Sequence, residues 1–158
     1  GTSLHTWVSS ALTLEQDQRQ LNALLTQRNM MLQEYLPEIE SDGELSLIYF
    51  DEQYSHAVRK VPRQGDFRVQ SDFGGTTSTV IPDTGVRRQA DEVLQAAARK
   101  SVYARVDGVI REGIFLVMEL ELVEPHLFLD NDPGAAERFA EVLTNRVSAT
   151  SQTEPKTY

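Results

Sequence analysis

The chain contains no cysteine, so a disulfide framework, thiolate catalysis and cysteine-ligated metal sites are all excluded. That composition fits a reducing, cytoplasmic setting. No apolar run approaches the length of a membrane span. Basic residues are scarce: 15 Lys and Arg stand against 24 Asp and Glu, for a net charge of −9. A nucleic-acid binder would carry a basic stripe, and Arg59–Lys60 with Arg63, and Arg87–Arg88, are too short to form one. The three histidines, His5, His56 and His126, have no metal-ligand spacing. GxSxG, GxxxxGK and GxGxxG are all missing, which removes nucleophile-elbow, P-loop and dinucleotide-fold chemistry. No signal peptide is visible, and the start at Gly1 without methionine predicts a processed chain or a piece of a longer one.

What is present is a globular composition, 40% hydrophobic and 25% charged, across 158 residues, enough for one domain with a core. Thr13, with Gln16 three residues on, predicts a capping box opening a helix from Leu14 to about Arg28. Met30–Leu36 is a strand candidate stopped by Pro37, and an acidic turn with Asp42-Gly43 follows. Leu45–Phe50 and Tyr54–Lys60 predict a hairpin across Asp51-Glu52-Gln53. Val61–Thr84 is rich in Gly, Pro, Thr and Ser and allows only short regular structure. So long a loop is functional or disordered. In it Arg68 is placed on a short strand with Phe67 and Val69, and Gly74-Gly75 permits close approach to a ligand. Gly85 to about Lys100 predicts a helix, Tyr103–Pro125 a second hairpin, and Asp132-Pro133 the cap and first turn of a last helix. Residues 148–158 have too little apolar content to pack and are expected to form a disordered tail. Hairpins with helices on one side make an α+β antiparallel sheet.

The second hairpin carries the strongest chemical signal. A three-residue loop at Arg111–Gly113, with Gly113 left-handed, sets Asp107 across from Glu119 and Arg105 across from Glu121. Ala104, Val106, Ile110, Leu116, Met118, Leu120 and Leu122 then form the apolar face, and Val109, Phe115, Val117 and Val123 share the charged one. Opposed like charges are unfavourable on a sheet, so three converging carboxylates call for a divalent cation. Two magnesium ions bridged there would bind nucleotide phosphates, with Lys60, Arg68 and Arg105 as the accompanying cations. The bland alternative is a solvated charged face with an ordinary Arg105–Glu121 cross-strand pair.

Four blocks in order, LQEYLPEIESDGELSLIYFD, SHAVRKVPRQGDFRVQSDFGG, YARVDGV and MELELVEP, resemble the C-terminal half of an ATP-grasp ligase of the glutathione-synthetase-like kind over about residues 30–147. Within that family the similarity is greatest to the enzymes that close the ring in cycloserine biosynthesis. The resemblance implies a single ATP-grasp C-terminal lobe at 1–147, without the first ATP-binding lobe, its Lys-Pro strand or the substrate domain. It implies that Gln33, Glu34, Tyr35 and Leu36 form the hinge meeting adenine, and that Glu44 lies near the ribose. Lys60 and Arg68 would sit on the triphosphate and acyl-phosphate, Gly74-Gly75 over the reaction centre, and Asp107, Glu119 and Glu121 on magnesium, for which manganese can substitute. Glutathione synthetases usually have Asn at the last metal position and Arg-Gly-Asn where this chain has Arg68-Val69-Gln70. Those departures concern the substrate. The implied reaction is ATP-dependent joining of a small carboxylate to an amine or another nucleophile such as a thiol, through an acyl-phosphate (an EC 6.3-like ligase). The chain alone would bind nucleotide weakly, turn over nothing, and self-associate through an exposed cleft-facing sheet into a homo-oligomer. No nucleic-acid or membrane partner is implied. The competing reading is a non-catalytic α+β module whose acidic face binds a cation or a partner.

Overall fold

Five strands build one antiparallel sheet. The computed structural model describes residues 6–69, 74–97 and 100–151. They fall into two units, Gly1–Pro37 and Glu38–Tyr158.

In the first unit the helix α1 spans Leu14–Leu25. Thr13 precedes it, yet its side chain makes no capping bond to the helix. Instead Ser10 donates its backbone N–H to Thr13 Oγ1 at 3.1 Å. A local turn has taken the hydroxyl that the capping box needed. The strand expected at Met30–Leu36 does not form; residues 29–36 belong to no regular element.

The second unit runs α2 (Glu38–Ser41), β1 (Glu44–Phe50), β2 (Gln53–Val61), β3 (Thr76–Val80), α3 (Thr84–Ala96), β4 (Tyr103–Arg111), β5 (Ile114–Glu121), a 3-10 turn (Leu129–Asn131) and α4 (Ala135–Ser151). The strand order is β3-β2-β1-β4-β5, all antiparallel. The α+β sheet expected from the sequence is therefore present. Its core lies on the face that holds Leu45, Leu47, Tyr49, Ala57, Ala104, Val106 and Phe115, covered by Val86, Ala90 and Leu94 of α3. Asp83 caps α3, accepting the Val86 N–H at 2.9 Å. Helices occupy both faces rather than one: Phe139 of α4 stacks on Phe50, which points opposite to Tyr49, with ring centroids 4.9 Å apart. Asp132, expected to cap α4, gives its carboxylate to Arg138 at 2.5 Å, and its carbonyl closes a turn with Gly134 and Ala135. The helix begins two residues beyond Pro133 and continues through residues 148–151, so that part of the expected tail is helical. Residues 152–158 lie outside the described set.

The second hairpin reaches the expected pairing by a different route. Its loop has two residues, Glu112 and Gly113, with φ of 53° and 79°, left-handed backbone values whose turn matches the right-handed twist of the two flanking strands. Arg111 pairs with Ile114, Ile110 with Phe115 and Gly108 with Val117. A bulge between Asp107 and Gly108 then skips Met118, and Asp107 faces Glu119, Val106 faces Leu120 and Arg105 faces Glu121. The bulge also exchanges the faces of the turn-proximal residues. Phe115, placed on the charged face by strict alternation, is in the core, while Leu116 pairs with Val109 on the charged side. Gly108 makes this possible. A Cβ there would stand 2.4 Å from the Leu116 carbonyl oxygen and 2.8 Å from the Phe115 ring.

Candidate metal and nucleotide site

The face opposite α3 gathers charge from four strands. Glu44 opens β1 and faces Lys60 of β2. Ser46 faces Asp107 of β4, which faces Glu119 of β5; Ile48 faces Arg105, which faces Glu121. Every second residue of these strands points the same way, so the register lines up Lys60–Glu44 and Ser46–Asp107–Glu119 as neighbouring rows.

The cluster is held by short contacts. Lys60 Nζ lies 2.5 Å from Glu44 Oε1 and 3.3 Å from Asp107 Oδ2. Arg105 grips Asp107 with two donors, Nε at 2.9 Å from Oδ1 and Nη2 at 2.8 Å from Oδ2. Nη2 also reaches Glu121 Oε1 at 2.8 Å, and Nη1 donates to the His126 carbonyl at 3.2 Å. Asp107 is 1% exposed, and Glu44, Lys60 and Arg105 are buried with it. One carboxylate oxygen from each of Asp107, Glu119 and Glu121 falls within 4.8 Å of the others.

Four carboxylates thus meet two cations, leaving an excess of two negative charges in a largely buried patch. Titration follows that imbalance. Burial raises the Asp107 pKa, but the Arg105 hydrogen bonds and the Lys60 charge outweigh it, and the group lies below the usual aspartate range. Burial raises Glu44 above the usual glutamate range, and Lys60, shared with Asp107, only partly opposes it. Glu119 is also raised, by burial and then by the neighbouring Glu121 and Asp107 charges. Arg105 stays charged because Asp107 and Glu121 outweigh its own burial. The oxygen-only donor set and its unbalanced charge suit a hard divalent cation such as magnesium or manganese.

Arg68 sits in irregular chain, not on a strand, and binds Asp66 by Nη2 at 2.7 Å. Gly74, with φ of +82°, and Gly75 lead into β3. Gln33, Glu34, Tyr35 and Leu36 belong to the first unit. Gln70 and His5 lie outside the described residues. Two contributors had no sequence signal. Ser46 is fully buried beside Asp107 and lowers its pKa, and the His126 carbonyl is a backbone group.

A family model, the RimK-like ATP-grasp domain, matches residues 8–126. A cycloserine biosynthesis protein, DcsG, from Streptomyces lavendulae is 32% identical over 134 residues, which are 75% of this chain and 42% of that protein. The crystal structure of D-cycloserine synthetase DcsG superposes with a TM-score of 0.73 at 31% identity, over 85% of this chain and 48% of that one. A D-alanine–D-alanine ligase from Bacillus anthracis, solved with ATP, shares the fold with a TM-score of 0.58 at 18% identity, over 82% and 44%. The chain spans less than half the length of these relatives.

Proposed function

The chain belongs to the RimK-like ATP-grasp family, and on that premise we propose that it is the ATP- and magnesium-binding part of a ligase joining a carboxylate to an amine or thiol through an acyl-phosphate. The observation that carries this reading is the convergence of a buried Asp107, a half-buried Glu121 and an exposed Glu119 on one charge-unbalanced patch. An ordinary solvated face would leave these groups apart.

Asp107, Glu119 and Glu121 would hold the metal. Bound there, magnesium would neutralise the phosphate oxygens of ATP as negative charge shifts during transfer. Arg105 keeps Asp107 ionised and holds Glu121 in place, and its donor to Glu121 is the one a phosphate oxygen would take over by exchange. Lys60 supplies a point charge at the same patch, tethered between Glu44 and Asp107. Glu44 would turn to the ribose when nucleotide draws Lys60 away. Arg68 would reach the transferred phosphoryl group, Gly74-Gly75 would cover it, and Gln33–Leu36 would meet the adenine. Catalysis of this kind is mostly positioning and electrostatic stabilisation of the transferring group. The acid joined would be a small carboxylate, as the family resemblance implies.

Calorimetric titration of the chain with Mn²⁺, then with ADP, tests this. Binding should appear in wild type, be lost in Asp107→Asn and weaken at least about tenfold in Glu119→Gln. A wild type that takes up neither metal nor nucleotide at millimolar concentration would leave the non-catalytic module as the better account.

A further inference from the structure

His56 lies on β2, 3% exposed, and no part of the reaction uses it. Its surroundings are specific. Nε2 stands 3.0 Å from the Leu127 carbonyl oxygen and 3.2 Å from that of Phe128. Carbonyls only accept, so Nε2 carries the hydrogen. Nδ1, 2.9 Å from Ser55 Oγ, therefore accepts from that hydroxyl. Ser55 Oγ in turn accepts from Arg138 Nε at 3.1 Å, while Arg138 Nη2 binds Asp132. Each member of the chain has one consistent role, and the imidazole is neutral. Burial, which lowers its pKa, agrees.

What His56 holds is the strap between β5 and α4. The strap crosses the charged face and delivers the His126 carbonyl to Arg105 Nη1 at 3.2 Å. It is a strained piece of chain: Glu124 and Phe128 have φ of 54° and 49°, left-handed values that bulky residues avoid. Such conformations persist where surrounding contacts over-determine them, and they cluster at functional sites. The Phe128 ring packs against His126 with centroids 4.4 Å apart and lies 5.9 Å from the Arg105 guanidinium. The histidine, the strap and the arginine that grips Asp107 and Glu121 thus form one continuous set of contacts.

We propose that His56 is a positioning residue for the metal and nucleotide site: by fixing the carbonyls of Leu127 and Phe128 it sets the strap that orients Arg105, and through Arg105 the carboxylates. Its effect on ligand binding rests on the reading above; its effect on the strap does not.

The test uses the whole chain with His56→Phe, His56→Gln and Ser55→Ala, probed by Mn²⁺ alone and by nitrogen-15 NMR. Wild type should show the Nε2-protonated tautomer. His56→Phe should speed exchange of the Phe128 and Asn131 amides and of the Arg105 Nε–H about tenfold, the worth of one lost hydrogen bond. It should weaken Mn²⁺ binding about fivefold by the same reasoning. His56→Gln, whose side-chain amide can donate to the same carbonyls, should recover most of both. Ser55→Ala should loosen the strap by a smaller factor. If His56→Phe does not fold, the Gln and Ser55→Ala variants decide, because the first must keep the strap protected and the second must not. An Nδ1-protonated wild type, or strap and Arg105 exchange unchanged across the folded variants, overturns the proposal. A wild type that binds no Mn²⁺ sinks the metal reading, while the exchange data still judge His56.

Discussion

The two faces of the sheet come from the same strands, one residue apart, and they are built on opposite principles. Under α3, Leu45, Leu47, Tyr49, Val106 and Phe115 are buried with apolar partners, and their one polar group is satisfied: the Tyr49 hydroxyl donates to Asp91 at 2.9 Å. On the other face Glu44, Ser46, Lys60, Arg105 and Asp107 are buried nearly as deeply. Taking charges from water is costly, and replacing buried ion pairs with apolar residues is often neutral or stabilising. The apolar face is therefore the source of stability. The charged face consumes some of it.

The contrast should be broken most severely by Leu47→Ala. Leu47 is fully buried in the core, so the loss should be about 4 kcal/mol in denaturant unfolding, with no direct change at the charged face. Asp107→Asn should cost about 2–3 kcal/mol, because Arg105 and Lys60 lose their shared carboxylate. It should also remove Mn²⁺ binding, which calorimetry reads. Equal metal affinity in this variant would separate Asp107 from the site.

Glu119→Gln should reveal the trade-off most directly. Glu119 has no ion-pair partner among the described residues, and burial, followed by the neighbouring Glu121 and Asp107 charges, raises its pKa. Without metal the variant should be as stable as wild type or slightly more so, while Mn²⁺ affinity falls at least about tenfold, the worth of one carboxylate ligand at about 1.4 kcal/mol. A clear loss of stability without metal would mean the residue serves the fold.

The smallest effect is a pH dependence. Glu44 and Glu119 have folded pKa values raised above the usual glutamate value, so the folded state holds their protons more tightly. Their contribution favours folding at low pH and is lost as pH rises from the usual glutamate pKa through the folded one. Asp107, lowered, contributes in the opposite sense, stabilising above the usual aspartate pKa and losing that as pH falls through its folded value. Mn²⁺ relieves the Glu119 penalty, so the rise in Tm on adding metal should grow with pH above the usual glutamate range. Scanning calorimetry at several pH values checks this, and a metal-induced shift that is flat with pH would count against Glu119 as a ligand.

How much of this was readable in the chain beforehand differs by residue. Asp107, Glu119 and Glu121 could be paired from alternation and a turn signal, because the side-chain period of a strand is two and local sequence sets it. The pairing came out as expected only because of the bulge: counted strictly, a three-residue loop at 111–113 would set Asp107 across from Val117 and the two-residue loop would set it across from Met118, and skipping Met118 brings it to Glu119. Phe115 could not be placed, because a bulge depends on what packs against the strand and leaves no mark on the alternation itself. The strand expected at Met30–Leu36 had the right residue types but forms no ladder, and β-propensity acts only where a partner strand exists. Thr13 illustrates the same limit at short range, where Ser10 competed for its hydroxyl.

The sequence by itself determined the α+β class, the two hairpins, the family resemblance and the identity of the acidic trio, since each rests on local periodicity, turn chemistry or residue type. Only the tertiary structure decided that Lys60 and Glu44, 16 residues apart, meet Asp107, 47 residues beyond Lys60. It also decided that His56 holds a strap some 70 residues downstream, at 71 and 72 residues' separation. Contacts across such distances depend on strand order and on where a connector folds back. Those are set by the packing of the whole sheet, and no window of sequence contains them.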